Sequence, residues 1–176
     1  MSVVRPVLSH FGVFCRDLDA MVEYYSEVFG MTMTDRGQGH TMPFTIAFMS
    51  GVPEQHHQLA LASGRGANDP STVMQISFKV QNLDELREIQ RRALARQAPA
   101  LRALNHGNAL SIYFSDIEDN TVEVYLDTPW YVSQPHADPF DLSRPDEELW
   151  AETEAMCRQD PSFMTVEEWQ RKFSQA

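Results

Sequence analysis

Residues 104–127, LNHGNALSIYFSDIEDNTVEVYLD, bring together side chains that could bind a metal ion or move protons. A histidine, a tyrosine and a carboxylate, His106, Tyr113 and Glu123, stand at fixed spacing on apolar strands that are joined by polar turns. Aliphatic residues alternate with Glu123, so its side chain is predicted to point away from the aliphatic face. A carboxylate in that place is either solvated or bound to a ligand, and other parts of the chain must decide between the two.

Two segments of the chain follow the same order of one strand, one helix and three strands. In the first segment Asp17 caps the helix and Gly30 ends it, and strands are predicted at 7–15, 31–36, 44–49 and 56–61. In the second segment Asn82 and Glu85 form a capping box, and strands are predicted at 73–80, 101–104, 109–114 and 121–126. The small polar segment 62–72 is typical of a linker. The pattern predicts an α+β fold of two βαβββ modules, at about 5–62 and 72–127, in one domain of residues 1–127.

The internal repeat places polar residues at equivalent positions. Asp17 and Asn82 set an offset of 65 residues, which carries His10, in the middle of its predicted strand, onto Gln75. The same offset carries Glu123 back to Gln58, or to His57 if one loop differs by a residue. Taken singly, each of these residues has an ordinary structural explanation. Together, His10, His57, Gln75 and Glu123 are predicted to surround one cup that holds a metal ion, while His56 is predicted to face solvent.

Composition limits the classes of partner. The net charge of −11 and the pI near 4.8 argue against a nucleic acid or an anionic membrane as the main partner. Two cysteines, Cys15 and Cys157, give no metal spacing and no disulfide framework, which fits a reducing cytoplasm. The chain has no charged-then-apolar leader and no apolar run of about 18 residues. We therefore expect a cytoplasmic protein that does not enter a membrane.

The last part of the chain, 128–176, is predicted to be an extension with two helices. Its first residues are punctuated by prolines and are predicted to run extended along the domain. An acidic helix is predicted through Arg158, and Thr165 with Glu168 forms a capping box for a second helix. These helices are expected to pack on the outer face of the sheet or on a partner subunit, and we expect a homo-oligomer. A sharper hypothesis is that Trp130 and Tyr131 line or cover the mouth of the cup.

Residues 5–127 resemble the vicinal oxygen chelate (glyoxalase/bleomycin resistance/dioxygenase) superfamily, because they pair two such modules with histidine and glutamate at these places. Within this region the spacing of four polar residues is similar to the signature of type I extradiol ring-cleavage dioxygenases in their one-domain form: His106, Tyr113, Asp116 and Glu123. That signature has proline at the position of Ile117, and glycine or proline at the position of Asp119. Both residues therefore depart from it. Both departures alter a turn and leave the chemical groups in place.

The resemblance implies an Fe(II)-dependent dioxygenase that cleaves a catechol-type aromatic diol with O2. It makes His10 and Glu123 iron ligands, and His57 an acid–base residue beside the oxygen site. It makes His106 and Tyr113 the residues that hydrogen-bond the bound diol. Gln75 stands where the family has its second histidine ligand, so the facial triad of two histidines and a carboxylate is incomplete.

Gln75 keeps two other functions open. In the glyoxalase I branch of the superfamily all four symmetric positions bind the metal, and glutamine can be one of them. His10, His57, Gln75 and Glu123 would then hold Zn(II), Ni(II) or Mn(II) in an isomerase or lyase without a redox step. The other possibility is a non-catalytic member that binds a small molecule in the cup. The isomerase alternative leaves His106 and Tyr113 without a role.

Overall fold

The computed structural model describes residues 6–175, and these form two compact units. Unit 1 contains the described residues up to Val73 together with Ile117–Asp119, and unit 2 contains Met74–Asp116 and the chain from Asn120 onward. Residues 1–5 of the predicted domain lie outside the described residues. The sequence-based division into a domain of residues 1–127 and an extension stays a prediction.

The elements alternate in the order that the sequence predicts. The helices are α1 (Leu18–Phe29), α2 (Leu83–Ala95), α3 (Asp146–Gln159) and α4 (Val166–Gln175). The strands are β1 (Phe11–Cys15), β2 (Thr32–Gln38), β3 (Thr45–Ser50), β4 (Leu59–Ser63), β5 (Ile76–Lys79), β6 (Arg102–Asn105), β7 (Ala109–Ser115), β8 (Thr121–Asp127), β9 (Trp130–Tyr131), β10 (Asp138–Pro139) and β11 (Met164–Thr165). None of the helices in residues 6–175 is long and apolar enough to cross a membrane.

Unit 1 is a four-stranded mixed sheet with one helix. The strand order is β1-β4-β3-β2, and β1 pairs with β4 in parallel. The predicted caps of α1 are confirmed, because the Asp17 side chain accepts from the backbone N–H of Ala20 at 3.0 Å and Gly30 takes a left-handed φ of 67°. The buried side of α1 includes Met21, Tyr24 and Val28. These residues are three and four positions apart, so they lie on one side of the helix.

Unit 2 repeats this arrangement, which confirms the α+β fold of two βαβββ modules. Its sheet has the order β10-β6-β7-β8-β5, with β5 and β8 in parallel and α2 in contact with β7 and β8. The capping box of α2 is confirmed, since the Asn82 Oδ1 accepts from the backbone of Glu85 at 2.9 Å. The even-numbered residues of β7 and β8 are apolar and buried, so one face of the sheet forms the core and the other face is polar.

The strand registers correct the predicted repeat at one place. Phe11 pairs with Leu59 in unit 1, and Ile76 pairs with Val122 in unit 2. The first strands of the two modules, β1 and β5, are therefore offset by 65 residues, whereas their last strands, β4 and β8, are offset by 63 residues. The residue equivalent to Glu123 is thus Ala60, and the prediction of Gln58 or His57 was wrong. The loop before the last strand differs by two residues, which the helix starts alone could not reveal.

The ends of the strands place the predicted histidines differently. His10 is exposed and precedes β1 instead of lying in the middle of a strand, and Gln75 likewise precedes β5. His56 and His57 lie in the loop before β4, where neighbouring side chains need not point to opposite sides. The predicted strands were therefore too long at these ends.

The extension is part of unit 2. Its strand β10 pairs antiparallel with β6 at the edge of the sheet, and β9 pairs with β11. Helix α3 is attached by a buried hydrogen bond in which the Asn105 amide donates to Thr153 Oγ1 at 2.9 Å. The capping box of α4 is confirmed by the bond from the Thr165 backbone to Glu168 at 2.8 Å. The two predicted helices are therefore present, and α3 is tied to the strand that leads to His106.

Candidate functional site

A row of polar side chains crosses the polar face of the unit 2 sheet. In the ladder, Arg102 of β6 is paired with Tyr113 of β7, Tyr113 with Glu123 of β8, and Glu123 with Ser77 of β5. Residues that are directly opposite each other on neighbouring strands point to the same face. The register of four strands therefore sets a guanidinium, a phenol, a carboxylate and a hydroxyl side by side.

Glu123 is the centre of this row. The residue is only 9 % exposed, as expected for a side chain on the polar face that hydrogen-bonds to its neighbours. Oε1 accepts hydrogen bonds from Ser111 Oγ at 3.1 Å and from the Tyr113 hydroxyl, while Oε2 accepts from Gln75 Nε2 at 2.9 Å and Ser77 Oγ at 2.7 Å. A carboxylate has about four lone-pair positions, so these four donors occupy all of them.

His106 continues the row through Tyr113. Its Nε2 lies 3.0 Å from the Tyr113 hydroxyl oxygen and 4.0 Å from Glu123 Oε1. Its Nδ1 contacts the backbone carbonyl of His136, in the segment between β9 and β10. The neighbouring Gln134 donates from Nε2 to the His106 carbonyl at 2.7 Å. The extension therefore holds the histidine from both its ring and its backbone.

The electrostatics of the row keep Tyr113 protonated. Burial raises the pKa of the Tyr113 hydroxyl, and the hydrogen bond to the Glu123 carboxylate raises it further. The Arg102 guanidinium carbon lies 5.0 Å from the centre of the Tyr113 ring, and its charge opposes this shift only in part. Tyr113 can thus donate a hydrogen bond or relay a proton at neutral pH, but it is not a phenolate.

An open cavity of about 310 Å³ lies over this row in unit 2. Its walls include the three predicted residues and several that lie near them: His106, Asn108, Ala109, Tyr113, Glu123, Tyr125, Asp127 and Gln134. Asp127 is paired with Lys79 on the same face, and this hydrogen bond is the main reason that the pKa of Lys79 is raised. The volume is at the lower end of the range of about 300–1,000 Å³ for small-molecule sites. The cavity is therefore suited to a small ligand.

The predicted histidines of unit 1 form a second cluster. The rings of His10 and His57 lie 4.1 Å apart between centroids, and the ring of Phe48 lies 4.8 Å from that of His57. His57 Nδ1 is 2.9 Å from His56 Nδ1, whose other ring nitrogen is 2.8 Å from Asp35 Oδ2. Burial, followed by the charges of His10 and His56, lowers the pKa of His57. The solvent-facing position of His56 is confirmed by its 56 % exposed side chain, but it does not point away from His57.

The six predicted site residues thus fall into two groups. Unit 1 brings His10 and His57 together, and unit 2 brings together the other four: Gln75, His106, Tyr113 and Glu123. Sequence reasoning missed Ser77 and Ser111, although their alternation with buried neighbours places them on the face of Glu123. It also missed Gln134 and the His136 carbonyl, for which the sequence of the extension offers no periodic signal.

The aromatic residues at the start of the extension pack against the two helices of the extension. Trp130 packs edge-on against Trp150 of α3 at 6.2 Å between ring centres, and Tyr131 stacks on Trp169 of α4 at 5.7 Å. Neither ring lines the cavity over Glu123, to which the extension contributes Gln134 instead. The hypothesis that Trp130 and Tyr131 line or cover the mouth of the predicted cup stays a prediction.

The donor set around Glu123 does not fit the iron site that the resemblance implies. The amide of Gln75 presents its NH2 group to Glu123, and both oxygens of that carboxylate already accept from two donors each. A facial iron site needs two imidazoles and a carboxylate with free lone pairs. Across residues 6–175, no three His, Cys, Asp or Glu side chains are grouped so that they could hold a metal ion. The iron-ligand roles of His10, Gln75 and Glu123 stay predictions.

Comparisons with known proteins agree with the fold. A family model described as the Glyoxalase/Bleomycin resistance protein/Dioxygenase superfamily matches residues 7–124. A search of the curated proteins found no match. A solved glyoxylase/bleomycin resistance protein/dioxygenase domain from Frankia sp. EAN1pec is 22% identical with a TM-score of 0.59, covering 72% of this chain and 100% of that chain.

Two further solved structures are similar. The fosfomycin resistance protein FosX from Listeria monocytogenes, in complex with Mn(II) and a sulfate ion, is 18% identical with a TM-score of 0.55, covering 71% of this chain and 95% of that chain. A glyoxalase/bleomycin resistance protein/dioxygenase from Nocardioides is 21% identical with a TM-score of 0.52, covering 72% of this chain and 86% of that chain. At these identities the likeness concerns the fold alone.

Proposed function

Because the chain belongs to the glyoxalase/bleomycin resistance protein/dioxygenase superfamily, we propose that it is an enzyme that acts on a small molecule with a phenol-type or catechol-type hydroxyl. The ligand binds in the cavity of unit 2 and exchanges a proton with the chain of groups formed by His106, Tyr113 and Glu123. The substrate class that we favour is a small aromatic diol.

One observation carries this proposal, and it is the number of protons that the chain of groups requires. The His136 carbonyl can only accept, so Nδ1 of His106 must carry a proton. A second proton must lie between His106 Nε2 and the Tyr113 oxygen, and a third between Tyr113 and Glu123. A neutral imidazole, a phenol and a carboxylate hold only two protons between them. All three hydrogen bonds therefore form together only when the chain of groups holds one more proton, which the hydroxyl of a bound ligand can supply and take back.

The cavity matches a small hydroxylated ring in shape and polarity. Tyr125 supplies an aromatic ring two residues beyond Glu123 on the same face of β8, and the polar row supplies donors and acceptors beside it. The acidic Asp127 is neutralised by Lys79. An uncharged phenol or diol therefore does not meet an unpaired carboxylate at Asp127.

Extradiol ring cleavage is the second candidate, and a specific observation favours it. Three residues of the signature, His106, Tyr113 and Glu123, are in direct contact in unit 2, as a shared catalytic role requires. That reaction also needs Fe(II) and O2. Since the donors around Glu123 do not fit an iron site, no step is assigned to a metal, and the residues named here only bind the diol and move its proton.

The first experiment measures binding and proton exchange without added metal. Calorimetric titrations with phenol and catechol, repeated in two buffers of different ionisation enthalpy, give the number of protons taken up or released on binding. We expect measurable binding with proton exchange in the wild type, and loss of the proton exchange in His106→Gln. The control is His40→Gln, which removes an exposed histidine outside the cavity.

The second experiment separates the two candidates. Anaerobically iron-loaded protein is given a panel of catechols while O2 uptake and the yellow ring-fission product are recorded. Turnover would establish extradiol cleavage, and diol binding with proton exchange but no O2 uptake would support the first proposal alone. If neither the metal-free nor the iron-loaded protein binds a phenol or a diol, both candidates fail. Binding without proton exchange would instead indicate a non-catalytic binding protein.

A further inference from the structure

Unit 1 contains a hydrogen-bonded row of Asp35, His56 and His57. A β-bulge in β2 sets up the row, because the pairing of β2 with β3 passes from Met33 opposite Met49 to Asp35 opposite Phe48. Bulges re-aim side chains along a strand edge. Here Asp35 lies opposite Phe48, whose ring packs against the rings of both histidines.

The donors and acceptors of this row can be assigned from chemistry alone. The ionised Asp35 carboxylate can only accept, so the 2.8 Å contact requires a proton on His56 Nε2. When His56 is neutral, its Nδ1 then has a lone pair and accepts from His57 Nδ1 across 2.9 Å. A neutral His57 that donates through Nδ1 has its lone pair on Nε2.

We infer that Asp35 and His56 are positioning residues that hold neutral His57 in the tautomer with its proton on Nδ1. Free histidine in water prefers the other tautomer, so the row reverses the ordinary preference. Phe48 and His10 pack against the ring of His57 and limit its rotation. The result is an imidazole whose Nε2 is fixed as a proton acceptor. This assignment of the tautomer does not depend on the proposed function of unit 2.

Nitrogen-15 NMR tests the tautomer directly. Two-bond proton–nitrogen correlation spectra of the labelled full chain distinguish protonated, pyrrole-type ring nitrogens from unprotonated, pyridine-type ones. The spectra are recorded about two pH units above the ordinary histidine pKa of about 6.5, so that the rings are neutral. His57→Gln identifies the signals of His57. We expect a pyrrole-type Nδ1 and a pyridine-type Nε2 for His57 in the wild type.

Two variants test whether His56 and Asp35 fix the tautomer of His57. His56→Phe keeps a ring against Phe48 but removes the acceptor, and the major tautomer of His57 is expected to revert to the form protonated on Nε2. Asp35→Ala frees His56 to take either tautomer, and a mixture is expected at His57. His40→Gln, at an exposed turn, should leave the signals of His57 unchanged. A His57 protonated on Nε2 in the wild type, or an unchanged tautomer in both variants, would overturn the inference. Either result is independent of diol binding in unit 2.

Discussion

Tyr113→Phe removes one oxygen atom from the centre of the polar row and leaves its surroundings in place. The phenyl ring can keep the packing of Tyr113 in β7 and its contact with the Arg102 guanidinium at 5.0 Å. Two hydrogen bonds are lost, one to the Glu123 carboxylate and one to His106 Nε2. Any effect of this substitution therefore reports on the hydroxyl group alone.

The expected loss of stability follows from the partners that remain. Glu123 Oε1 keeps only Ser111 as a donor, and an unsatisfied buried group costs about 1–3 kcal/mol. The cavity is open, so water can replace part of the lost bonding. We expect the free energy of unfolding to fall by about 1–2 kcal/mol, which lowers the melting temperature by roughly 2–8 °C in a chain of this size. Proton exchange on phenol binding should disappear, because the link between His106 and Glu123 is broken.

The alkaline limb of the stability curve gives a second measurement on the same variant. The pKa of Tyr113 is raised in the folded protein, first by burial and then by its bond to Glu123. Below the unfolded tyrosine pKa of about 10 both states are protonated, and above it only the unfolded state loses the proton. The free energy of unfolding of the wild type should therefore fall above about pH 10, and less steeply in Tyr113→Phe.

Tyr125→Phe is the matched control, since Tyr125 lines the same cavity on the neighbouring strand but is absent from the row. Urea titrations at neutral and alkaline pH, with calorimetry of phenol binding, compare the three proteins. The reasoning is refuted if Tyr113→Phe is as stable as the wild type and exchanges the same number of protons, or if both tyrosine variants behave alike at neutral pH.

Three further predictions concern other parts of the two units. Gly107→Ala should destabilise the fold by about 1–3 kcal/mol, because Gly107 has a φ of +76° and an added Cβ would lie 2.4 Å from a valine methyl group. Gly37→Ala, where nothing lies within 4 Å, should be nearly neutral in the same urea titration. Glu118→Gln should cost about 1–3 kcal/mol, since its buried carboxylate accepts three contacts of 2.7–2.8 Å from the backbone before α1. The exposed neighbour variant Asp119→Asn should cost little, and equal losses would contradict this view. Gln75→His should raise the affinity for Mn(II) at least tenfold, which corresponds to about 1.4 kcal/mol. An unchanged affinity would show that the Gln75 amide is not what prevents Glu123 from binding a metal ion.

The sequence predicted the fold well because its signals are local. Alternation on β8 placed Glu123 on the polar face, and capping residues such as Asp17 and Asn82 set the helix starts. The repeat then predicted the order of the elements along the chain. The loop before β4 carried no such signal, so the partner of Glu123 in the repeat was assigned to His57 or Gln58 when the ladder gives Ala60.

The hydrogen bonds of the site were harder to predict than the residues that form it. Gln75 and Glu123 were predicted as neighbours, and their side chains are 2.9 Å apart. Sequence shows residue types but not the direction of a hydrogen bond. An amide that offers its oxygen can be a metal ligand, whereas one that offers its NH2 group satisfies a carboxylate. Ser77 favours the second orientation, because its hydroxyl oxygen accepts from Gln75 Nε2 at 2.9 Å. That contact depends on the strand register, which a single sequence does not reveal.

The extension supplies the carbonyl on which the proposed proton exchange depends. In the proposed function, the His136 carbonyl requires a proton on His106 Nδ1, which leaves Nε2 to serve Tyr113. His136 and Gln134 lie beyond residue 124, where the match to the family model ends. The matched region therefore contains the tyrosine and the carboxylate, whereas the carbonyl that contacts His106 Nδ1 lies in a segment outside it. Substitutions that shift this segment should change proton exchange on ligand binding before they change the fold of the sheet.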